Sequence, residues 1–96
     1  MSSWKIGLTK EVIKEAKKYN FYERLISRLT ELQEALKRET EKVLELLHAD
    51  PVIFEVGQVK VRRMRIGDYR LLYYVDYDKK EVVFFRLKPR SRAYKP

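Results

Sequence analysis

The chain has 96 residues, 45% hydrophobic and 12% aromatic, with 22 Lys and Arg against 14 Asp and Glu. That size suits one domain spanning 1–96, and that apolar content excludes an intrinsically disordered chain. The net charge of +8 favours a polyanion or an acidic protein as partner, and the absence of cysteine excludes a disulfide framework, a thiol nucleophile and a thiolate metal site. No apolar run is long enough to span a bilayer, and MSSWKIGLTK lacks a signal-peptide core. The expectation is a cytoplasmic protein with no membrane partner.

Trp4–Leu8 alternates like a short strand, and Thr9 is placed to cap a helix beginning at Lys10, with Val12, Ile13, Ala16 and Tyr19 as its apolar stripe. Asn20 followed by Glu23 resembles a capping box opening a second helix. Its apolar positions Tyr22, Leu25, Ile26, Leu29, Leu32 and Leu36 recur at threes and fours, resume at Val43, Leu44, Leu46 and Leu47, and stop at Pro51. One unbroken helix over 21–48 is about 42 Å long, against a radius of gyration near ~13 Å for a domain of this size. A break around Lys37–Lys42 is therefore expected. Residues 50–58 read as a loop leading into the last third of the chain.

That last third is three β-branched and aromatic runs, 59–66, 69–76 and 81–88, separated by turn residues. Gly67-Asp68 suits a two-residue type II′ loop, which pairs Ile66 with Tyr69 and sets Arg65 opposite Arg70, with Arg63 further along. A three-residue second loop, Asp78–Lys80, then adds Arg86 and Lys88 to the same face, along with Tyr74 and Phe84. The other face collects Met64, Ile66, Tyr69, Leu71, Tyr73, Val75, Val83, Phe85 and Leu87. The expected fold is α+β: a short N-terminal strand and two or three helices packed on one face of a small, mainly antiparallel sheet. Like charges opposed across a ladder are destabilising, so a basic face suggests a bound anion. A solvated face that discourages edge pairing is the plainer alternative.

Two segments carry a family resemblance. RIGDYRLLYYV (Arg65–Val75) and LKPRSRAYKP (Leu87–Pro96) resemble the RelE/ParE toxin superfamily, and most of all its archaeal RelE branch. The resemblance implies a RelE-like toxin that cleaves mRNA on the ribosome and is neutralised by a RelB-like antitoxin. It assigns Arg70 to the scissile phosphate, Arg63 to the nearer basic position on the preceding strand, Arg90 to the basic position after the last strand, and Tyr94 to the C-terminal general base. The farther basic position falls on Val61, a departure that leaves two alternatives: Arg65 or Lys60 substitutes, or that contact is missing. Lys60, Arg65, Arg86, Lys88 and Arg92 are the expected RNA contacts, and Tyr74, Phe84 and Tyr94 the stacking surfaces.

The chemistry agrees with that assignment. Metal-free RNA cleavage requires attack by the 2′-OH on phosphorus and stabilisation of a doubly negative phosphorane, which planar, permanently charged guanidinium groups supply. No cofactor or metal is expected. His48, the single histidine, sits at a predicted helix end and reads as a cap, while Asp68, Asp76 and Asp78 lie in or beside turns. Two other functions fit the same sequence: a ParE-type toxin that binds gyrase without nuclease chemistry, and an RNA- or ribosome-binding relative without activity.

Overall fold

The structure, a computed structural model, describes residues 4–90. Eight elements follow in the order β1 (Lys5–Leu8), α1 (Lys10–Lys18), α2 (Tyr22–Arg38), α3 (Thr40–Leu47), β2 (Val52–Val56), β3 (Val59–Ile66), β4 (Tyr69–Asp76) and β5 (Glu81–Pro89). The five strands form one sheet in the order β1-β5-β4-β3-β2, with β1 parallel to β5 and the other pairs antiparallel. Three helices pack against this sheet, so the α+β architecture is the one expected.

Local chemistry explains the helix ends. Thr9 is extended, and its Oγ1 accepts a hydrogen bond from the Val12 N–H at 3.2 Å. The capping box at Asn20 does not form. Asn20 instead takes a left-handed φ of 58° just past α1, a conformation that Asn tolerates, and α2 starts behind Phe21 with no side-chain cap. The helix break falls where it was expected. Glu39 leaves helical geometry (φ −135°, ψ 62°), and the Thr40 hydroxyl donates to the Leu36 carbonyl at 2.7 Å.

Two expectations about the sheet are corrected. Residues 52–56 form a strand, β2, not a loop. Gly57 at φ 62° opens a two-residue loop that pairs Val56 with Val59, so Pro51 and Gly57 bound a β-branched strand. The β4–β5 connection is four residues, because Asp76 pairs with Glu81, and the Asp76 carboxylate accepts from the Lys79 N–H at 3.0 Å. A bulge between the Leu72–Arg86 and Tyr73–Phe84 pairs leaves Phe85 unmatched. Lys88 and Arg86 therefore keep the expected register, while everything beyond the bulge shifts by one residue. Val82 and Phe84 face the helices, both fully buried, and Val83 and Phe85 turn to the other face.

The core lies between sheet and helices. Val12 and Ala16 of α1, Leu25, Leu29 and Leu36 of α2, and Val43 and Leu47 of α3 meet Ile66, Leu71, Tyr73, Val82, Phe84 and Leu87. The Tyr73 and Phe84 rings lie 5.1 Å apart at its centre. The Tyr73 hydroxyl donates to the Leu47 carbonyl (3.0 Å) and to Asp50 Oδ2 (2.6 Å). Burial first, then that hydrogen bond and the negative charge of Asp50, push its pKa far above the ordinary tyrosine value. At the sheet's outer edge, Gln33 accepts from the Ile6 N–H (2.9 Å) and donates to the Trp4 carbonyl (3.3 Å), so α2 closes the β1 edge.

Candidate anion-binding site

The basic residues are ordered by the Gly67 turn. Gly67 adopts φ 59°, as the first position of a type II′ loop requires, and the turn pairs Ile66 with Tyr69 and Arg65 with Arg70. On the other side of β4, Arg70 pairs with Lys88. Arg65, Arg70 and Lys88 thus form one row across three adjacent strands, on the sheet face opposite the helices. One step along, Arg63 and Arg86 flank Leu72. The Arg90 N–H donates to the Asp68 carbonyl at 2.6 Å, which ties the end of the last strand to the turn beside Arg70. Three separate segments therefore bring Arg63, Arg65, Arg70, Lys88 and Arg90 to one end of the sheet.

Arg63 carries a further signal. Its Nε is buried with no hydrogen-bond partner among the described residues. A buried donor left unmet costs about 1–3 kcal/mol.

Not every expected residue joins the row. Arg86 is held by α1: its Nε donates to Glu15 Oε2 at 2.9 Å, while Glu15 Oε1 accepts from the Leu87 N–H at 2.7 Å. Its charge is thereby partly neutralised. Lys60 alternates to the helix side of β3 and sits five residues from Arg65, about 17 Å along an extended strand. Of the two substitutes for the position at Val61, only Arg65 shares its face. Val61 is itself buried. Tyr74 shares the basic face with Phe85, the ring centroids 5.9 Å apart, whereas Phe84 is buried on the other side. Tyr94 and Arg92 lie outside the described residues.

One cation was missed in the sequence. A side chain built on Gly67 would come within 3.1 Å of Arg24 Nη2, so the α2 guanidinium lies against the turn, stacked over the Phe21 ring at 5.0 Å. Nothing in its spacing distinguishes Arg24 from the other exposed helix cations; only the packing of α2 on the hairpin does. His48 caps α3 as expected, its N–H bonded to the Leu44 and Glu45 carbonyls, and its ring Nε2 lies 2.8 Å from the Tyr77 hydroxyl. No group of metal-ligating side chains occurs among the described residues.

A basic row beside a Gly-Asp-Tyr-Arg turn has relatives. A family model described as ParE toxin of type II toxin-antitoxin system, parDE, matches residues 6–94. The chain belongs to the ParE toxin family. Among solved structures, this ParE-family toxin is similar to the archaeal RelE–RelB complex from Pyrococcus horikoshii OT3 (26% identity, TM-score 0.62, 96% of this chain and 99% of that one). It also resembles the toxin–antitoxin complex RelBE2 from Mycobacterium tuberculosis (22%, TM-score 0.56, covering 91% and 98%) and the isolated RelE toxin of E. coli (21%, TM-score 0.56, covering 97% and 93%). The last two likenesses concern the fold alone. Among curated proteins, no sequence matches this toxin. Among the described residues, no helix is long and apolar enough to cross a membrane.

Proposed function

We propose that this toxin is a metal-independent endoribonuclease that cleaves mRNA on the ribosome in the cytoplasm and is held inactive by a RelB-like antitoxin. The observation that carries the reading is the Arg65–Arg70–Lys88 row with the unmet Nε of Arg63 beside it. Cleavage proceeds by attack of the 2′-oxygen on the adjacent phosphorus. The P–O5′ bond breaks, the 2′-hydroxyl proton passes to a base, and the departing 5′-oxygen takes up a proton. The products are a 2′,3′-cyclic phosphate and a 5′-hydroxyl. Arg70, with Arg63 and Arg65, binds the two non-bridging oxygens, whose charge grows in the phosphorane, and guanidinium forks match that geometry. Lys88 and Arg90 fix the strand in line for attack. Tyr74 and Phe85 offer ring faces for unstacked bases on the same side of the sheet.

Tyr73 is unsuited to proton transfer, since it faces the helices and its hydroxyl is raised in pKa and committed to Asp50. The 2′-hydroxyl proton is assigned to Tyr94, the general base that the family resemblance implies. A second reading, a gyrase-binding toxin without nuclease activity, is favoured by the ParE description of the matching family. Purified toxin added to translating ribosomes separates the two. Message ends bearing 2′,3′-cyclic phosphate support the nuclease, with Arg70→Ala slower by about 10²–10³-fold. Intact message with inhibited gyrase supercoiling supports the alternative.

A further inference from the structure

The sheet is forked at the end away from the basic row. The β3–β4 ladder runs from Ile66–Tyr69 to Arg62–Tyr73 and stops. Beyond that point Val59–Val61 pair only with β2, and Tyr74–Asp76 only with β5. Peptide groups alternate in direction along an antiparallel strand. In this register Lys60 and Val75 are the next residues whose N–H and C=O groups face across the gap, and among the described residues no strand meets them.

The fork has a structural cause. Its last closed pair is tied to the end of α3: Arg62 Nη1 donates to the His48 carbonyl (3.1 Å) and the Asp50 carbonyl (2.7 Å), and Tyr73 is bonded to Leu47 and Asp50. The Arg63 N–H also reaches the Pro51 carbonyl at 3.1 Å. The β2–β3 hairpin is thereby drawn off towards α3. A cleft of about 830 Å³ opens between Val59 and Lys60 on one wall and Tyr74, Val75, Asp76 and Asp78 on the other.

We propose that this slot receives an extended segment of the antitoxin, which lies between Lys60 and Val75 and completes the sheet. The inference rests on the reading of this chain as the toxin of an antitoxin-bound pair. Both walls present backbone donors and acceptors, which another polypeptide backbone matches and a nucleic acid does not. The carboxylates of Asp76 and Asp78 stand on one wall and repel phosphate. Val59 and Tyr74 offer apolar surface, and Lys60 facing Asp76 and Asp78 suits a segment with charges of both signs. The slot lies away from the arginine row, so antitoxin capture and phosphate binding use opposite ends of β3 and β4, with Tyr74 the one residue assigned to both surfaces.

The test is residue-resolved amide hydrogen exchange on the full chain, alone and purified as a complex with its co-expressed antitoxin. The expected result is at least a 100-fold slowing at the Lys60 and Val75 amides on complex formation. Val59→Asp, at an exposed position, should weaken the complex at least tenfold with its circular dichroism spectrum unchanged, whereas Ile53→Asp on the outer edge of β2 should not. A complex with unchanged exchange at both amides overturns the slot while leaving the antitoxin reading intact. So does loss of binding by Ile53→Asp alone, or the same protection produced by single-stranded RNA. Failure of the co-expressed pair to form any complex overturns the partner reading and the slot with it.

Discussion

Replacing Tyr73 by Phe keeps the ring and removes one buried hydroxyl, which isolates the polar link between the sheet and the end of α3. The side chain is fully buried, and its hydroxyl bonds Leu47 and Asp50. Loss of that donor leaves the acceptors unmet, at a cost of about 1–3 kcal/mol at pH 7, a sizeable share of the roughly 5–15 kcal/mol that stabilises a domain. The pH dependence has a definite sign. Burial and Asp50 raise the folded-state pKa of Tyr73, so the native state holds a proton that the unfolded state releases above pH ~10. Its contribution is complete below that pH and declines as pH rises. At pH 11 the wild type should have lost about 1.4 kcal/mol that Tyr73→Phe, with nothing to ionise there, retains. Urea unfolding followed by circular dichroism, for both proteins at pH 7 and pH 11 and matched ionic strength, measures the gap at each pH. A gap that stays constant or widens at pH 11, or a variant as stable as wild type at pH 7, would refute the reasoning.

Four further outcomes follow from the same geometry. Phe84→Ala should cost about 3–5 kcal/mol in denaturant unfolding, and Phe85→Ala less than half of that, because the bulge buries only the first ring; equal costs would contradict the observed register. Gly67→Ala should lower the melting temperature more than Gly57→Ala. Both take left-handed φ, but only Gly67 has a neighbour, Arg24, within 4 Å of the added methyl group. Glu15→Ala leaves the Leu87 N–H and Arg86 without their acceptor, and unfolding should show a loss of about 1–3 kcal/mol. Antitoxin affinity measured from 50 to 500 mM KCl should fall with salt, since exposed charge attraction is screened; affinity indifferent to salt indicates a mainly apolar clamp.

Much of the site was legible because it depends on one short turn. Gly-Asp between two β-branched runs sets the hairpin loop, and the loop length dictates that Arg65 meets Arg70. The β4–β5 register was half legible. Its basic end was read correctly, but the four-residue loop and the bulge at Phe85 exchange the faces of Phe84 and Phe85. Two adjacent phenylalanines in a run of apolar residues carry no periodicity that says which is inside. The strand at 52–56 was hidden for a related reason: a five-residue run between Pro and Gly is as compatible with a loop as with an edge.

The chain's own order of residues was enough to determine the α+β class, the helix break near Thr40, the Thr9 cap and the pairing of arginines beside Gly67, because each depends on contacts within a few residues. Tertiary structure alone decided that Arg86 is partly neutralised by Glu15, that Arg24 joins the turn and that β3 and β4 part beyond Arg62. Those outcomes depend on where distant elements pack: α1 against β5, α2 against the hairpin, and the end of α3 against Arg62 and Tyr73.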